Sequence, residues 1–271
     1  MTKHGDRGFV GSIPQIYQQH LVPLIFEAYA ADLAKRAASI APKCVLEIAA
    51  GTGVVTRQLA ATLPGDATIV ATDLNQPMLD VAAAIATARE VEWRRADALD
   101  LPFADASFDA VVCQFSAMFF PDKAKAFSEA RRVLRPDGAF LFNVWDRIEA
   151  NEFADTVTKA LETVFPDDPP RFMARTPHGY HDARVIAADL SRAGFAARPQ
   201  IDTVTARSRA SSFRIPAIAY CQGTPLRTEI EARGATRLEE ATDVAAEAIA
   251  QRFGRGAVDG RMQALVVTIE T

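Results

Sequence analysis

The chain has 271 residues, of which 49% are hydrophobic and 24% are charged, and this is the balance of an ordinary globular protein. Its formal net charge of -4 excludes a global basic field that would recruit nucleic acid or an anionic membrane surface. The three cysteines are far apart, which argues against a disulfide framework and predicts a reducing, cytoplasmic setting. No apolar run approaches the roughly 20 residues that a membrane-spanning helix needs.

Apolar residues recur at helical spacing from residue 13 to residue 40, and Pro42 ends this region. Short apolar runs typical of buried parallel strands then alternate with helical patterns. The predicted strands of this part are 44–49, 68–73, 91–96, 107–114 and 139–144. The predicted helices are 52–63, 77–88 and 122–134, followed by a turn over 135–138. Alternation of this kind predicts a doubly wound, mostly parallel α/β sheet.

After Trp145 the alternation breaks. Mostly helical patterns cover 150–165, 183–193, 212–234 and 238–253. Strand-like patterns cover 198–207 and 261–269, so the sheet is expected to have seven strands, with helical lid insertions at its carboxyl edge. The expected layout is a single domain over 1–271, with an N-terminal helical lid 1–41, core 42–146, a helical insertion 147–182, core 183–207, a helical insertion 208–258 and a final strand 259–271.

The most informative stretch is Val45-Leu46-Glu47-Ile48-Ala49-Ala50-Gly51-Thr52-Gly53, an apolar strand that runs into a glycine turn ahead of a helix. Ligands of open α/β sheets bind at the carboxyl ends of strands, and Asp73 and Asp97 end the next two strands. A carboxylate after the second strand can accept both hydroxyl protons of a ribose, and one after the third strand can accept from an adenine amino group. Leu74 and Met78 are expected to cover the ring.

The glycines alone match only part of a dinucleotide fingerprint, because Thr56 stands where the third glycine would be. A carboxylate at Glu47, beside the loop, disfavours a pyrophosphate ligand. It is more compatible with a cofactor that carries an ammonium and a sulfonium group.

These residues resemble a known family. The segment from Glu47 to Gly53 resembles motif I of the class I S-adenosylmethionine-dependent methyltransferases, and Asp73 matches the family's acidic residue after the second strand. Three later blocks are similar to the family's segments around strands three to five: Asp97-Ala98 with Leu101-Pro102-Phe103, Phe108-Asp109, and Arg132 to Ala139. The resemblance covers about residues 40–145 and is greatest for the ubiquinone/menaquinone-biosynthesis-type (methyltransferase type 11-like) small-molecule subgroup. Ala49-Ala50 departs from the usual motif.

The resemblance implies a Rossmann-like methyltransferase fold, S-adenosyl-L-methionine as cofactor with S-adenosyl-L-homocysteine as product, and direct in-line methyl transfer to a small-molecule acceptor. The residues expected at the cofactor are Tyr17, Glu47, Ala49, Gly51, Thr52, Gly53, Asp73, Leu74, Met78, Asp97, Ala98, Gln114 and Phe115. The aromatic residues expected around the acceptor are Phe119, Trp145, Phe172, Tyr180, Phe213 and Tyr220. His181 and Tyr17 are the candidates for a catalytic group, and no metal site is expected.

Two alternatives stay open. A nicotinamide-dependent oxidoreductase is disfavoured by Thr56 at the third glycine position and by the lack of a Tyr-x-x-x-Lys pair on a helix. A non-catalytic, S-adenosylmethionine-binding regulatory protein would keep the loop and Asp73 but have a blocked acceptor pocket. The expected partner is a small-molecule acceptor, with no nucleic acid and no membrane, and the chain is expected to be a cytoplasmic monomer or homodimer.

Overall fold

A computed structural model describes residues 9, 11–234 and 236–271. Contacts divide the chain into two units. The first, called the core unit here, consists of Glu27–Val144, Tyr180–Val204 and Ala264–Thr271. The second, called the helical unit, consists of the chain up to Phe26 with Trp145–Gly179 and Thr205–Gln263. Residues 1–8 and 10 of the expected N-terminal lid lie outside the described residues, and the expected layout of lids and core segments stays a prediction.

The described residues form a seven-stranded sheet with the order β3-β2-β1-β4-β5-β7-β6. The strands are β1 (Cys44–Glu47), β2 (Thr68–Asp73), β3 (Glu92–Arg95), β4 (Phe108–Gln114), β5 (Leu134–Trp145), β6 (Gln200–Ala210) and β7 (Val258–Glu270). β1, β2, β3, β4 and β5 pair in parallel. β7 runs antiparallel to β5, because Thr271 N donates to Gly138 O at one end and Asp146 N donates to Gln263 O at the other. The predicted seven-stranded, mostly parallel α/β fold is confirmed.

The strand order reverses at β1. β2 lies on one side of it and β4 on the other, and Glu47 at the end of β1 is in register with Ala71 and Val112. The connections after β1 and β4 therefore leave the sheet in opposite directions from its carboxyl edge. A reversal of this kind opens the crevice in which doubly wound folds bind ligands.

Five helices belong to the core unit: α2 (Glu27–Ser39), α3 (Val54–Thr62), α4 (Gln76–Ala83), α5 (Lys123–Val133) and α8 (Ala183–Arg192). α2 packs on α3, and α5 packs on α8. Under α5, the buried rings of Phe127, Phe140 and Phe142 have centroids 4.8–5.5 Å apart. The strands around β1 are buried on both faces, which is why they read as continuous apolar runs in the sequence.

Two predicted boundaries are wrong for identifiable reasons. α4 ends at Ala83 rather than at residue 88, because Thr87 turns its hydroxyl to Arg89 O and the Arg89 guanidinium binds Ala60 O and Leu63 O at the end of α3. The predicted turn 135–138 lies inside β5, where it forms an irregularity in the pairing with β4.

The helical unit contains α1 (Ile13–Ile16), a π-helical segment (Tyr17–Phe26), α6 (Glu152–Val164), α7 (Phe172–Arg175), α9 (Arg214–Gln222), α10 (Leu226–Glu231) and α11 (Arg237–Phe253). α11 packs on α6 and α9, and α9 packs on the π-helical segment. Pro23 lies inside that segment and has no N–H to give to a helical hydrogen bond, which favours an irregular helix there. None of the described helices is both long and apolar enough to span a bilayer.

Candidate functional site

The carboxyl edge of β1, β2 and β4 gathers most of the residues predicted for the cofactor. Because β1 pairs in parallel with both β2 and β4, the segments that follow Glu47, Asp73 and Gln114 leave the sheet at the same edge. Ala50 N donates to Thr72 O at 2.8 Å, which joins the loop after β1 to the end of β2. Ser116 Oγ lies 3.5 Å from Ala49 O, which joins the same loop to the end of β4.

The loop after β1 has an unusual backbone. Ala49, Gly51 and Gly53 all have positive φ angles, of 55°, 59° and 80°. For alanine this conformation is sterically costly, and residues held in it are concentrated at functional sites. The requirement for glycine at position 53 also has a packing cause, since a Cβ there would lie 2.7 Å from the outer ring of Trp93. The sequence contains no signal that would have predicted this contact with β3.

Glu47 is 1% exposed, and its Oε2 accepts a 2.5 Å hydrogen bond from the Thr56 hydroxyl. Burial raises the pKa of Glu47 to about 8, although the Thr56 bond and the positive charge of Arg57 act in the opposite direction. Near neutral pH the side chain is therefore largely a neutral carboxylic acid inside the loop, where the sequence suggested a carboxylate. A cation placed beside it would favour its ionised form.

Asp73 is buried at the end of β2 and holds the glycine loop. Its Oδ2 accepts a 2.8 Å hydrogen bond from Gly51 N, and its Oδ1 accepts from Asn75 N at 2.8 Å and from Asn75 Nδ2 at 3.3 Å. Burial raises the pKa of Asp73, and these hydrogen bonds oppose the rise. Asp73 therefore fixes the glycine loop against the end of β2.

Thr52, between the two glycines, is buried, with 1% of its surface exposed. Its Oγ1 has no hydrogen-bond partner in the described part of the chain. A buried hydroxyl is normally paired, and one that is not marks a place where a ligand or a water completes the bonding. The orphaned hydroxyl therefore fits a polar ligand in contact with this loop.

At the end of β4, Gln114 and Phe115 are both buried. Phe115 has a φ of 48°, and its ring packs edge-on against Tyr29 with centroids 5.2 Å apart. Phe115 N donates to Asn143 Oδ1 at 2.9 Å, and Asn143 Nδ2 donates to Gln114 Oε1 at 3.3 Å. Sequence reasoning missed Asn143, although a single amide within the apolar run of β5 was a usable signal.

The residues predicted around the adenine ring lie on the neighbouring strand ends. Asp97 follows β3, and its Oδ1 accepts from Leu99 N at 3.0 Å in a turn. Ala98 is buried beside it, and Met78 is buried in α4. Leu74 is half-buried, and its carbonyl accepts from Arg95 Nε at 3.1 Å. Their roles at a cofactor stay predictions.

The residues predicted for the acceptor fall in both units. Phe119 and Tyr180 lie in the core unit. The Tyr180 hydroxyl donates to Asp189 Oδ2 at 2.6 Å, and Lys123 Nζ lies over the Tyr180 ring. Burial and this bond raise the pKa of Tyr180. The other four lie in the helical unit: Trp145, Phe172, Phe213 and Tyr220.

The two candidates for a catalytic group are also separated between the units. Tyr17 lies in the helical unit, where its ring stacks on Phe26 with centroids 5.2 Å apart. His181 is exposed in the core unit, ahead of α8. The nearby His178 is buried in the helical unit, with its Nδ1 2.8 Å from Asp146 O. Within residues 9, 11–234 and 236–271, no group of three His, Cys, Asp or Glu side chains is placed to hold a metal ion.

Comparison with known proteins connects this geometry to a family. Residues 46–142 match the family described as "Methyltransferase domain". A demethylmenaquinone methyltransferase of Thermus thermophilus is 46% identical over 100 residues, which cover 36% of this chain and 45% of that protein. A ubiquinone/menaquinone biosynthesis C-methyltransferase of a Marinomonas species is 26% identical over 57% of this chain and 67% of its own length.

Among solved structures, phosphoethanolamine N-methyltransferase 2 of Haemonchus contortus, in complex with phosphomonomethylethanolamine and S-adenosylhomocysteine, matches with a TM-score of 0.57. It is 16% identical, and the match covers 98% of this chain and 60% of that one, which shows a shared fold. The chain spans less than half the length of the Thermus relative. The resemblance of about residues 40–145 to class I S-adenosylmethionine-dependent methyltransferases of the ubiquinone/menaquinone-biosynthesis type is confirmed by the family and sequence matches.

Proposed function

We propose, from the methyltransferase domain that residues 46–142 match, that this chain is an S-adenosyl-L-methionine-dependent methyltransferase acting on a small-molecule acceptor. The observation that carries the proposal is the buried carboxyl group of Asp73 at the end of β2, bonded to Gly51 N of the glycine loop. This is the position at which a doubly wound fold binds the ribose of a nucleoside cofactor.

The residues of the loop fit such a cofactor better than a dinucleotide. Thr56 occupies the third glycine position of a dinucleotide fingerprint, and its hydroxyl binds Glu47. The side chain of Glu47 is well suited to a cationic ligand, because a nearby positive charge would drive its buried carboxyl group to ionise. The orphaned hydroxyl of Thr52 supplies a further polar contact.

When bound, the cofactor supplies an electrophilic methyl group on a sulfonium, and its leaving thioether needs no acid. The chain has to hold the acceptor close and aligned, and orientation of this kind can supply about 7–11 kcal/mol of the barrier. A base is required only for an acceptor that must lose a proton, and His181 and Tyr17 are our candidates for it. The product would be S-adenosyl-L-homocysteine.

The acceptor is proposed as a small molecule. The family match ends at residue 142, ahead of the helical insertions 147–182 and 208–258 that we expect to cover the acceptor. The match therefore concerns the cofactor side of the site, and the named substrates of the relatives are not transferred to this chain. We also propose a cytoplasmic monomer or homodimer that acts without nucleic acid or membrane.

Isothermal titration calorimetry of the full chain with S-adenosylmethionine, S-adenosylhomocysteine and NAD tests the proposal. We expect both methionine-derived ligands to bind and NAD not to bind. Binding of NAD without binding of S-adenosylmethionine would overturn the proposal in favour of an oxidoreductase. Transfer of a labelled methyl group from the cofactor to members of an acceptor panel is the second expected result. Tight cofactor binding without transfer across a broad panel would indicate a regulatory protein instead.

A further inference from the structure

A short turn over residues 97–100, called the Asp97 turn here, follows β3 at the carboxyl edge of the sheet. Ala96 N donates to Asp73 O at 3.1 Å, so the turn begins beside the end of β2. Inside the turn, Leu99 N donates to Asp97 Oδ1 at 3.0 Å. The half-buried Asp97 side chain has no other hydrogen bond within the part of the chain that the structure describes, so its Oδ2 is open to a further donor.

Both backbone polar groups of Leu101, the residue that follows the turn, are bound by side chains of α5. Leu101 N donates to Glu129 Oε2 at 3.0 Å, and Arg132 Nη2 donates to Leu101 O at 2.9 Å. Leu101 and Glu129 are buried. A buried backbone group is normally paired, and in this loop the partners are side chains rather than a helix or a strand. The end of the Asp97 turn is therefore held against α5.

The two side chains that bind Leu101 also bind each other. Arg132 Nη2 donates to Glu129 Oε2 at 2.7 Å, and Arg132 Nε donates to Glu129 Oε1 at 3.1 Å. A two-point contact of this kind fixes the orientation of both groups. Hydrogen bonding by Arg132 lowers the pKa of Glu129 to about 2, in opposition to burial, so the carboxylate stays charged across the ordinary pH range. Arg132 Nη1 also binds Phe103 O at 2.7 Å and Asp105 Oδ1 at 2.8 Å, which extends the contact along the loop.

We propose that Glu129 and Arg132 are positioning residues for the Asp97 turn, and that they set the preference of the cofactor site for an adenine base. The inference rests on the proposed function, because the ligand is taken to be S-adenosylmethionine or its product. The base of that ligand is attached to its ribose, so a ribose at Asp73 brings the base to the neighbouring strand end, where Asp97 lies. A carboxylate only accepts hydrogen bonds, so Asp97 favours the amino group of adenine over the carbonyl group of hypoxanthine.

The ratio of two affinities of the full chain, measured by calorimetry, tests this role. The ligands are S-adenosylhomocysteine and S-inosylhomocysteine, in which a carbonyl oxygen replaces the amino group of the base. We expect the wild type to favour the adenosyl ligand at least about tenfold, the effect of a hydrogen bond to a charged group. Asp97→Ala should bring the two affinities within about twofold of each other, because the acceptor is gone. A wild-type ratio in Asp97→Ala would overturn the inference.

Arg132→Met removes the guanidinium and keeps an apolar side chain. We expect the affinity ratio to fall at least about threefold, because Leu101 O and Glu129 lose the group that holds them and the Asp97 turn is no longer fixed. Glu129→Gln is the milder variant, since it keeps an oxygen for Leu101 N but loses the charge that Arg132 binds. Its ratio should lie between those of the wild type and Arg132→Met. A general loss of stability would weaken the binding of both ligands by the same factor, so an unchanged ratio in either variant would contradict the positioning role.

Arg135→Met is the matched control, because it makes the same change at the next arginine along the chain. Arg135 Nη1 donates to Asp109 Oδ1 at 2.7 Å, near the amino end of β4 and away from the Asp97 turn. We expect the affinity ratio of this variant to stay within about twofold of the wild type, since distant sites act independently. A fall equal to that of Arg132→Met would contradict a specific role of Glu129 and Arg132. A wild-type chain that binds neither ligand would overturn the proposed function itself, whereas wild-type binding with no preference for the adenosyl ligand overturns this inference alone.

Discussion

The hydroxyl of Thr56 donates a 2.5 Å hydrogen bond to a carboxyl oxygen of Glu47, and both side chains are buried in the core unit. Residue 56 is the position at which a dinucleotide-binding fold has its third glycine. In this chain the residue at that position, Thr56, instead donates a hydrogen bond to Glu47 of the loop. Burial raises the pKa of Glu47 to about 8, so its side chain ionises within the pH range of ordinary solution experiments.

The first prediction concerns the pH dependence of stability. Between pH 4.5, the ordinary pKa, and about 8, folded Glu47 holds a proton that the unfolded chain has released. Stability therefore falls as pH rises through this window, by up to about 1.4 kcal/mol per pH unit from this group. We expect urea unfolding to show a steeper decline in the wild type than in Glu47→Gln between about pH 5 and 8, because only the wild type has the Glu47 contribution. Parallel profiles for the two proteins would show that Glu47 is ionised when folded.

The second prediction concerns Asp73. Asp73→Asn keeps the side-chain size but places an N–H donor where Gly51 N or Asn75 N now donates to an oxygen. We expect the free energy of unfolding to fall by about 1–3 kcal/mol, because one backbone N–H loses its acceptor. Affinity for S-adenosylhomocysteine should fall at least about tenfold in calorimetry, because a hydrogen bond to a charged group is lost.

Asn75→Ala is the control for Asp73, because it removes the 3.3 Å side-chain bond and keeps the carboxyl group in place. We expect its affinity for S-adenosylhomocysteine to stay within about twofold of the wild type, since the lost bond is long and local. Wild-type affinity in Asp73→Asn would remove the ribose role.

The sheet, and the order in which its motifs follow the strands, could be predicted from the sequence, because buried parallel strands have a distinctive apolar pattern. Glu47 and Asp73 end such strands, so their common edge could be predicted from alternation alone. Asp97 comes shortly after β3, which is mostly exposed and polar. The strained backbone at Ala49 and Phe115 could not be predicted, since neither residue type favours a positive φ. At Phe115 the conformation is supported by Asn143, 28 residues away in the chain.

For the aromatic residues expected around the acceptor, the sequence pattern does not predict the packing partners. Trp145, Phe172 and Tyr220 are buried. Periodicity does not say which partners they are buried against. The hydroxyl of Tyr180 binds Asp189 in α8, a contact that depends on how α8 packs on the core unit. Their role in acceptor binding stays a prediction.

The third prediction contrasts two threonines of the same loop and helix. The buried hydroxyl of Thr52 lacks a partner in the described part of the chain, and that of Thr56 binds Glu47. Thr52→Val should raise the free energy of unfolding by about 1 kcal/mol, because it removes an unpaired polar group, and should weaken S-adenosylhomocysteine binding. Thr56→Val, its matched control, should lower stability by about 1–3 kcal/mol, because it leaves the Glu47 oxygen unpaired.

Denaturant unfolding and calorimetry on both variants measure these effects. Destabilisation by Thr52→Val with unchanged affinity would contradict a ligand contact at its hydroxyl.

The fourth prediction separates the two reasons for glycine at position 53. Gly53→Ala places a Cβ 2.7 Å from the Trp93 ring and forces alanine to a φ of 80°. We expect a loss of about 2–4 kcal/mol in unfolding free energy, from overpacking and from the left-handed backbone together. In a Trp93→Phe background the outer ring is absent, so the loss should shrink to about 1–2 kcal/mol, chiefly the backbone contribution. Arg57 Nη1 at 3.1 Å and Ala82 Cβ at 3.3 Å remain close to the added Cβ in both backgrounds. Equal losses of unfolding free energy in both backgrounds would show that the Trp93 ring moves aside without destabilising the fold. A stable Gly53→Ala variant that fails to bind S-adenosylhomocysteine would instead assign the glycine to close approach of the ligand, because the missing Cβ would then be needed by the cofactor and not by the fold.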